Sequence, residues 1–169
     1  ITMDVVDSPE HQRLNREMAR QSIVLLKNDG ILPLSGSERI AVIGPNADSK
    51  TILLGNYNGT PSRYMTLLRG IQDAATGRVT YARGCHLFRD KLGGWEEHPL
   101  REAIIAAKNS DVVIMCMGLD PTLEGEEGDA YNGFSSGDKI DLELPAIQKQ
   151  LYHEIVKLGK PIIFVNVSG

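Results

Sequence analysis

Three stretches of this chain, Ile40 to Ile43, Val112 to Met117 and Ile162 to Val167, are apolar almost without interruption. A strand that shows one face to water alternates apolar and polar side chains, so an unbroken run marks a strand covered on both faces. Arg78 to Ala82 reads as a further strand, and Ile52 to Leu54 as a short one. Between these lie helical signals. Ser8-Pro9-Glu10 has the form of a helix start, with Ser as N-cap and Pro in the first turn. Leu14, Met18 and Leu25 succeed it at helical spacing, Ile23, Val24 and Leu26 widen the apolar face, and Gly30 is expected to end the helix. Helices are also predicted over Tyr64 to Ala75, from Pro99 to about Lys108, and from Pro145 to about Leu158. Strands alternating with helices predict an α/β fold: a mostly parallel sheet with helices on both faces, an α/β sandwich.

The 169 residues suit a single domain of ordinary size, 1–169. The chain opens on Ile1 and stops inside a strand-like run at Gly169, so it is expected to be part of a longer, multidomain polypeptide. A net charge of -4 argues against a nucleic-acid partner, which calls for a surplus of Lys and Arg. No apolar run approaches the roughly 20 residues of a membrane-spanning helix, so no membrane insertion is expected. Two cysteines, Cys85 and Cys116, set no disulfide framework. His11, His86, His98 and His153 are scattered without metal-ligand spacing, and neither a metal nor a cofactor is expected.

Two long connections interrupt the alternation: Cys85 to His98, which carries Trp95, and Gly118 to Leu144. The second directly succeeds the apolar run Val112 to Met117 and puts Glu124, Glu126, Glu127 and Asp129 within six residues. Open α/β sheets place their ligand chemistry in loops leaving the carboxyl ends of strands. Crowded carboxylates repel one another, which raises the pKa of at least one, and a carboxyl that keeps its proton near neutral pH can protonate a leaving group. The same residues also fit a solvated acidic loop. A cation site is a third reading, but the spacing departs from the calcium-loop pattern.

Gly133-Phe134-Ser135-Ser136-Gly137 spells G-x-S-x-G but lacks the preceding strand and following helix of a nucleophile elbow, so it reads as a chance match. Ile40 to Asn46 resembles the opening of a nucleotide-binding unit without either phosphate-binding glycine motif. Gly55-Asn56-Tyr57-Asn58-Gly59 offers an aromatic face flanked by amides, which suits a sugar ring and equally suits a packed turn.

Ala19 to Gly30, with Leu32-Pro33-Leu34 after it, closely resembles the segment that opens the second domain of glycoside hydrolase family 3. Ile40 to Asn46 is similar to that domain's first strand and turn. Gly55 to Pro61 is similar to the G-N-Y-x-G-x-P stretch of β-xylosidase-like members. Gly118 to Gly128 resembles their acid/base loop, and Gly137-Asp138-Lys139 through Leu144-Pro145, with Gln148, the run after it. The resemblance spans about residues 8 to 169.

It implies a retaining, exo-acting β-glycosidase acting on terminal β-xylosides or β-glucosides, whose TIM-like barrel domain carries an Asp nucleophile and whose α/β sandwich supplies the general acid/base. The matching residue here is Glu124, with Glu126 as runner-up, and Tyr57 falls where members place an aromatic against the sugar. Lys139 stands where many members have Arg, and Lys cannot reproduce the planar fork of Arg. The implied partners are a β-linked oligosaccharide or glycoside and the barrel domain. Without the barrel the chain is expected to be inactive, with a mobile loop from Gly118 to Lys139. The alternative is a non-catalytic carbohydrate-binding or scaffolding α/β module.

Overall fold

The computed structural model describes residues 2–54, 58–89, 99–124, 139 and 141–168. They form two units, residues 1–33 and 34–169.

In the first unit, α1 (Pro9–Ser22) begins at Ser8, whose Oγ accepts the His11 N–H at 3.3 Å. The helix stops at Ser22, eight residues short of the predicted end at Gly30. The β-branched pair Ile23-Val24 is stiff at χ1 and leaves the helix readily. The Ser22 hydroxyl also donates to the Ala19 carbonyl at 3.0 Å, the local bond through which Ser competes with helix propagation. Ile23 is already extended, and Ile23 to Leu26 are exposed. Gly30, at φ +93°, serves a turn in which Asn28 Oδ1 accepts the Gly30 and Leu32 N–H groups.

The second unit holds β1 (Ile40–Ile43), α2 (Leu67–Ala74), β2 (Val79–Ala82), α3 (Pro99–Lys108), β3 (Val112–Gly118), α4 (Ala146–Val156) and β4 (Ile162–Val167). The four strands form one sheet in the order β2-β1-β3-β4, and every pairing is parallel. All residues of β1 and β3 are buried, as expected of their unbroken apolar runs. β4, expected to be covered on both faces too, ends the strand order and is only partly buried, with Phe164 and Asn166 exposed. Ile43, Met115 and Met117 on one face of the sheet pack with Ala103 and Ala107 of α3 and Leu151 and Ile155 of α4. β1 to β2 and β2 to β3 step across the sheet in opposite directions. Right-handed crossovers then put α2 on the face opposite α3 and α4. Ile52 to Leu54, predicted as a strand, lies instead in a single 3-10 turn, Thr51–Leu53, capped by the Leu54 N–H on the Thr51 carbonyl. α2 starts after Thr66 rather than at Tyr64, because the Thr66 Oγ1 accepts the Arg69 N–H. Cys85 and Cys116 are both buried and free. No helix of the described residues is long and apolar enough to cross a membrane.

At the amino ends of the strands, Arg39 and Asp111 tie β1 to β3. The Asp111 carboxylate accepts the Arg39 backbone N–H at 2.9 Å and the guanidinium at 2.6 Å. The Asp111 N–H in turn donates to the Arg39 carbonyl at 2.8 Å. The guanidinium first, then the backbone N–H, hold the Asp111 carboxyl at about 2, below its ordinary 3.8. A carboxyl whose pKa is lower folded than unfolded stabilises the fold above its unfolded value and loses that effect as pH falls through the folded one. Solvent screens this surface pair, so the effect is modest. We therefore expect Asp111→Asn to lower the thermal midpoint at neutral pH. The gap to the unaltered chain should narrow below about pH 4 and close near pH 2, as read by circular dichroism melts across that range.

Candidate active site

The order β2-β1-β3-β4 creates a switch point between β1 and β3, where successive connections leave in opposite directions and open a crevice at the strands' carboxyl ends. The acidic loop departs there. Its first residue, Gly118, has φ +130°, and a Cβ at that position would lie 1.9 Å from the Val167 carbonyl oxygen. Gly44, which ends β1, is held the same way: φ +133°, with the Cys116 carbonyl oxygen 2.0 Å from where a Cβ would stand. No side chain fits either position.

Two buried amides fix the backbone as it leaves β3. Gln148, on α4, accepts the Gly118 N–H at 2.8 Å through Oε1. Its Nε2 donates to the Gly118 and Leu87 carbonyls, both at 2.7 Å. Asn46, after β1, donates through Nδ2 to the Leu119 carbonyl at 2.8 Å. Both side chains are fully buried, and Asn46 Oδ1 has no partner among the described residues. The Leu119 N–H prolongs the β4 ladder by donating to Val167 at 2.7 Å.

Asp120-Pro121-Thr122-Leu123-Glu124 then forms a tight turn. The Asp120 Oδ1 accepts the Thr122 N–H at 2.9 Å and the Thr122 hydroxyl at 2.6 Å, and its Oδ2 accepts the Thr51 hydroxyl at 3.2 Å. The Leu123 and Glu124 N–H groups return to the Asp120 carbonyl at 2.9 and 3.1 Å. Asp before Pro suits such a turn, because its side chain caps the N–H two residues on and Pro presets φ. Leu123 is buried, at 2% exposure, and anchors the turn. Glu124 comes next, half-buried, and its carboxylate makes no hydrogen bond or ion pair among the described residues.

Beyond the loop, Lys139 donates to the Asp141 carboxylate at 3.0 Å and to the Glu143 carbonyl at 2.8 Å. Asp141 also accepts the Glu143 N–H at 2.9 Å. The Lys139 ammonium and that N–H together depress the Asp141 carboxyl below its ordinary range. Lys139 thus acts as a point cation at the chain's return to α4, a task that needs no planar fork.

An open cleft of about 330 Å3 lies at the same end of the sheet, lined by Pro45, Asp48, Ser49, Thr51, Tyr81, Arg83, Leu87 and Asp120. Burial, then the Asp48 carboxylate, holds the Tyr81 phenol above its ordinary pKa, so it keeps its proton. No group of three or more metal-ligating side chains occurs among the described residues.

Of the residues singled out in the sequence, Glu124 is therefore placed at the switch point. Glu126, Glu127, Asp129, Tyr57, Trp95 and the G-x-S-x-G run at 133–137 lie outside the described residues, as does the expected mobility of the loop beyond Glu124. Sequence reasoning assigned no role to Asn46, Gln148, Arg83 or Asp48. The signal for Gln148 was its place three and seven residues before Leu151 and Ile155, on the core face of one helix.

Geometry of this kind defines a class: α/β domains that present a carboxylate from a loop above a parallel sheet. The chain matches the glycosyl hydrolase family 3 C-terminal domain over residues 23–169. It is 37% identical to a β-xylosidase of Formosa agariphila over 95% of this chain and 22% of the relative. Among solved structures, a family 3 exo-β-xylosidase in complex with a xylobiose aziridine probe superposes with a TM-score of 0.76 at 33% identity. That match covers 93% of this chain and 19% of the other. A β-glucosidase from Listeria innocua in complex with glucose gives a TM-score of 0.78 at 25% identity, covering 95% and 20%. The chain belongs to glycoside hydrolase family 3, as its C-terminal α/β domain. It spans about a fifth of the length of these relatives.

The root of the loop is testable in the chain itself. Gln148→Met conserves volume but leaves the Gly118 N–H and two buried carbonyls without partners, at a cost of about 2–4 kcal/mol. Gly118→Ala, which must move the β4 backbone, should cost about 3 kcal/mol or more. Urea denaturation measures both. Values under about 1 kcal/mol for either would mean that the root is not held as described.

Proposed function

We propose that this chain is the acid/base-supplying domain of a larger, retaining, exo-acting β-glycosidase that removes terminal β-xylosyl or β-glucosyl units. One observation carries the assignment: Glu124 stands at the switch point, half-buried and unpaired among the described residues, on a turn anchored by the buried Leu123. A carboxylate already engaged by Arg or Lys would be held ionised and could not donate a proton at neutral pH. Membership of family 3, with β-xylosidases and a β-glucosidase among its relatives, supports the substrate class.

In this mechanism the barrel domain of the larger protein holds the sugar and supplies an Asp nucleophile. Retention places two carboxyl groups about 5–5.5 Å apart across the scissile bond. The nucleophile attacks the anomeric carbon while Glu124 protonates the departing oxygen. Glu124, now ionised, then takes a proton from the water that releases the sugar. Tyr57 lines the sugar site in this proposal, and Glu126 is the alternative proton donor.

Two outcomes are expected. In the full-length enzyme, Glu124→Gln should cut turnover of unactivated xylosides about 10^2–10^4-fold. It should spare aryl glycosides with good leaving groups, and Glu124→Ala should be rescued by azide. If Glu126→Ala shows that pattern and Glu124→Ala does not, the assignment moves to Glu126. If neither does, the domain is a carbohydrate-binding or scaffolding module. Second, the 169-residue chain alone should not turn over nitrophenyl β-xyloside or β-glucoside. Hydrolysis above the buffer rate that copurifies with the chain would contradict a nucleophile supplied by another domain.

A further inference from the structure

The cleft beside the acid turn holds charged groups that the proposed proton transfer does not use. Arg83, at the carboxyl end of β2, is half-buried and lines it, yet its guanidinium makes no hydrogen bond or ion pair among the described residues. In this open cleft its five N–H donors are left to water or to whatever ligand enters. Asp48 faces the same space. Its Oδ1 accepts the Thr66 hydroxyl at 2.8 Å, and its Oδ2 has no partner among the described residues. Ser49, Thr51 and Asp120 form a relay: Thr51 donates to Asp120 Oδ2 at 3.2 Å, and the Ser49 hydroxyl lies 2.7 Å from Thr51 Oγ1. With Thr51 donating to the carboxylate, Ser49 donates to Thr51 and turns its lone pairs outward. Pro45, Leu87 and the Tyr81 ring supply apolar lining.

We propose that this cleft binds a neutral sugar ring through neighbouring hydroxyls, with Arg83 donating to one and the free Asp48 oxygen accepting from the next. Its lining carries two carboxylates against one guanidinium, which repels a phosphate or carboxylate. A hydroxyl both donates and accepts, so a vicinal diol satisfies Arg83 and Asp48 together. The apolar lining suits the C–H face of the ring. The volume, about 330 Å3, matches a site for one small ring rather than a chain of them. Asp120 joins cleft to turn, since its carboxylate lines the one and caps the other. The proposal rests on the glycosidase reading for the choice of sugar alone: the ring is a unit of the β-linked oligosaccharide other than the one cleaved.

The test is titration of the isotopically labelled 169-residue chain with xylobiose, monitored by amide shifts in NMR, with inorganic phosphate and acetate in parallel. Saturable shifts centred on Asp48, Ser49, Arg83 and Asp120 are expected, with affinity in the millimolar range of an open site. Arg83→Met and Asp48→Asn should each weaken binding about tenfold. Glu102→Gln, exposed on α3 away from the cleft lining, should leave it unchanged. Absence of saturable shifts, shifts centred elsewhere, tighter binding of phosphate or acetate than of xylobiose, or equal loss in Glu102→Gln would overturn the proposal. If Arg83→Met does not fold, the mapping on the unaltered chain and the Asp48→Asn comparison still decide. Failure here leaves the azide rescue of Glu124→Ala untouched, and failure of that rescue leaves this titration untouched, so each can fall alone.

Discussion

At the carboxyl end of β3 the backbone of one strand occupies the space a side chain would need on the next. The Val167 carbonyl oxygen sits where a Cβ of Gly118 would be, and the Cys116 carbonyl oxygen where a Cβ of Gly44 would be. This close approach sets how the chain can leave the sheet on both sides of the switch point. It also creates a need. Backbone groups that leave a ladder inside a core must find new partners. Gln148 and Asn46 supply them, the first by binding both polar groups of Gly118 and the second by binding the Leu119 carbonyl.

The acid turn inherits its position from that arrangement. Each step from Gly118 to Glu124 has its own restraint: an amide, a strand-extending hydrogen bond, an Asp-capped turn, a buried Leu. The restraints differ in kind but act in series. Glu124 itself is left with no partner among the described residues. The cleft is built on the same principle, with loops from three strands converging around a guanidinium that makes no ion pair among the described residues.

The sheet was legible in the sequence because strands apolar throughout stand out. Double cover explains that pattern only for β1 and β3, β4 being nearly as apolar yet partly exposed. Ile40–Ile43 and Ile162–Val167 were located to the residue, and β3 proved one residue longer than its apolar run. The helices were less legible where periodicity was the sole guide. Ile23 to Leu26 extended the apolar face of α1 on paper, but β-branched residues after a back-bonded Ser leave the helix. Ile52 misled in the other direction, its strand-like neighbourhood being a single turn. Glu124 could be marked as the candidate acid because it comes after a strand and matches a family motif. Its supports could not. An Asn after a turn looks like a surface residue until the fold buries it, and for Gln148 the spacing to Leu151 and Ile155 marks the core face but not the hydrogen bonds made there.

The sinking of Leu123 into the core immediately before Glu124 works as a plug that sets how much chain can lie between them and β3. Everything from β3 to that leucine has fixed length, since one residue more or fewer would pull either the plug or the carboxylate out of register. An insertion ahead of that plug would therefore be felt at Glu124 even if it altered no group that touches it.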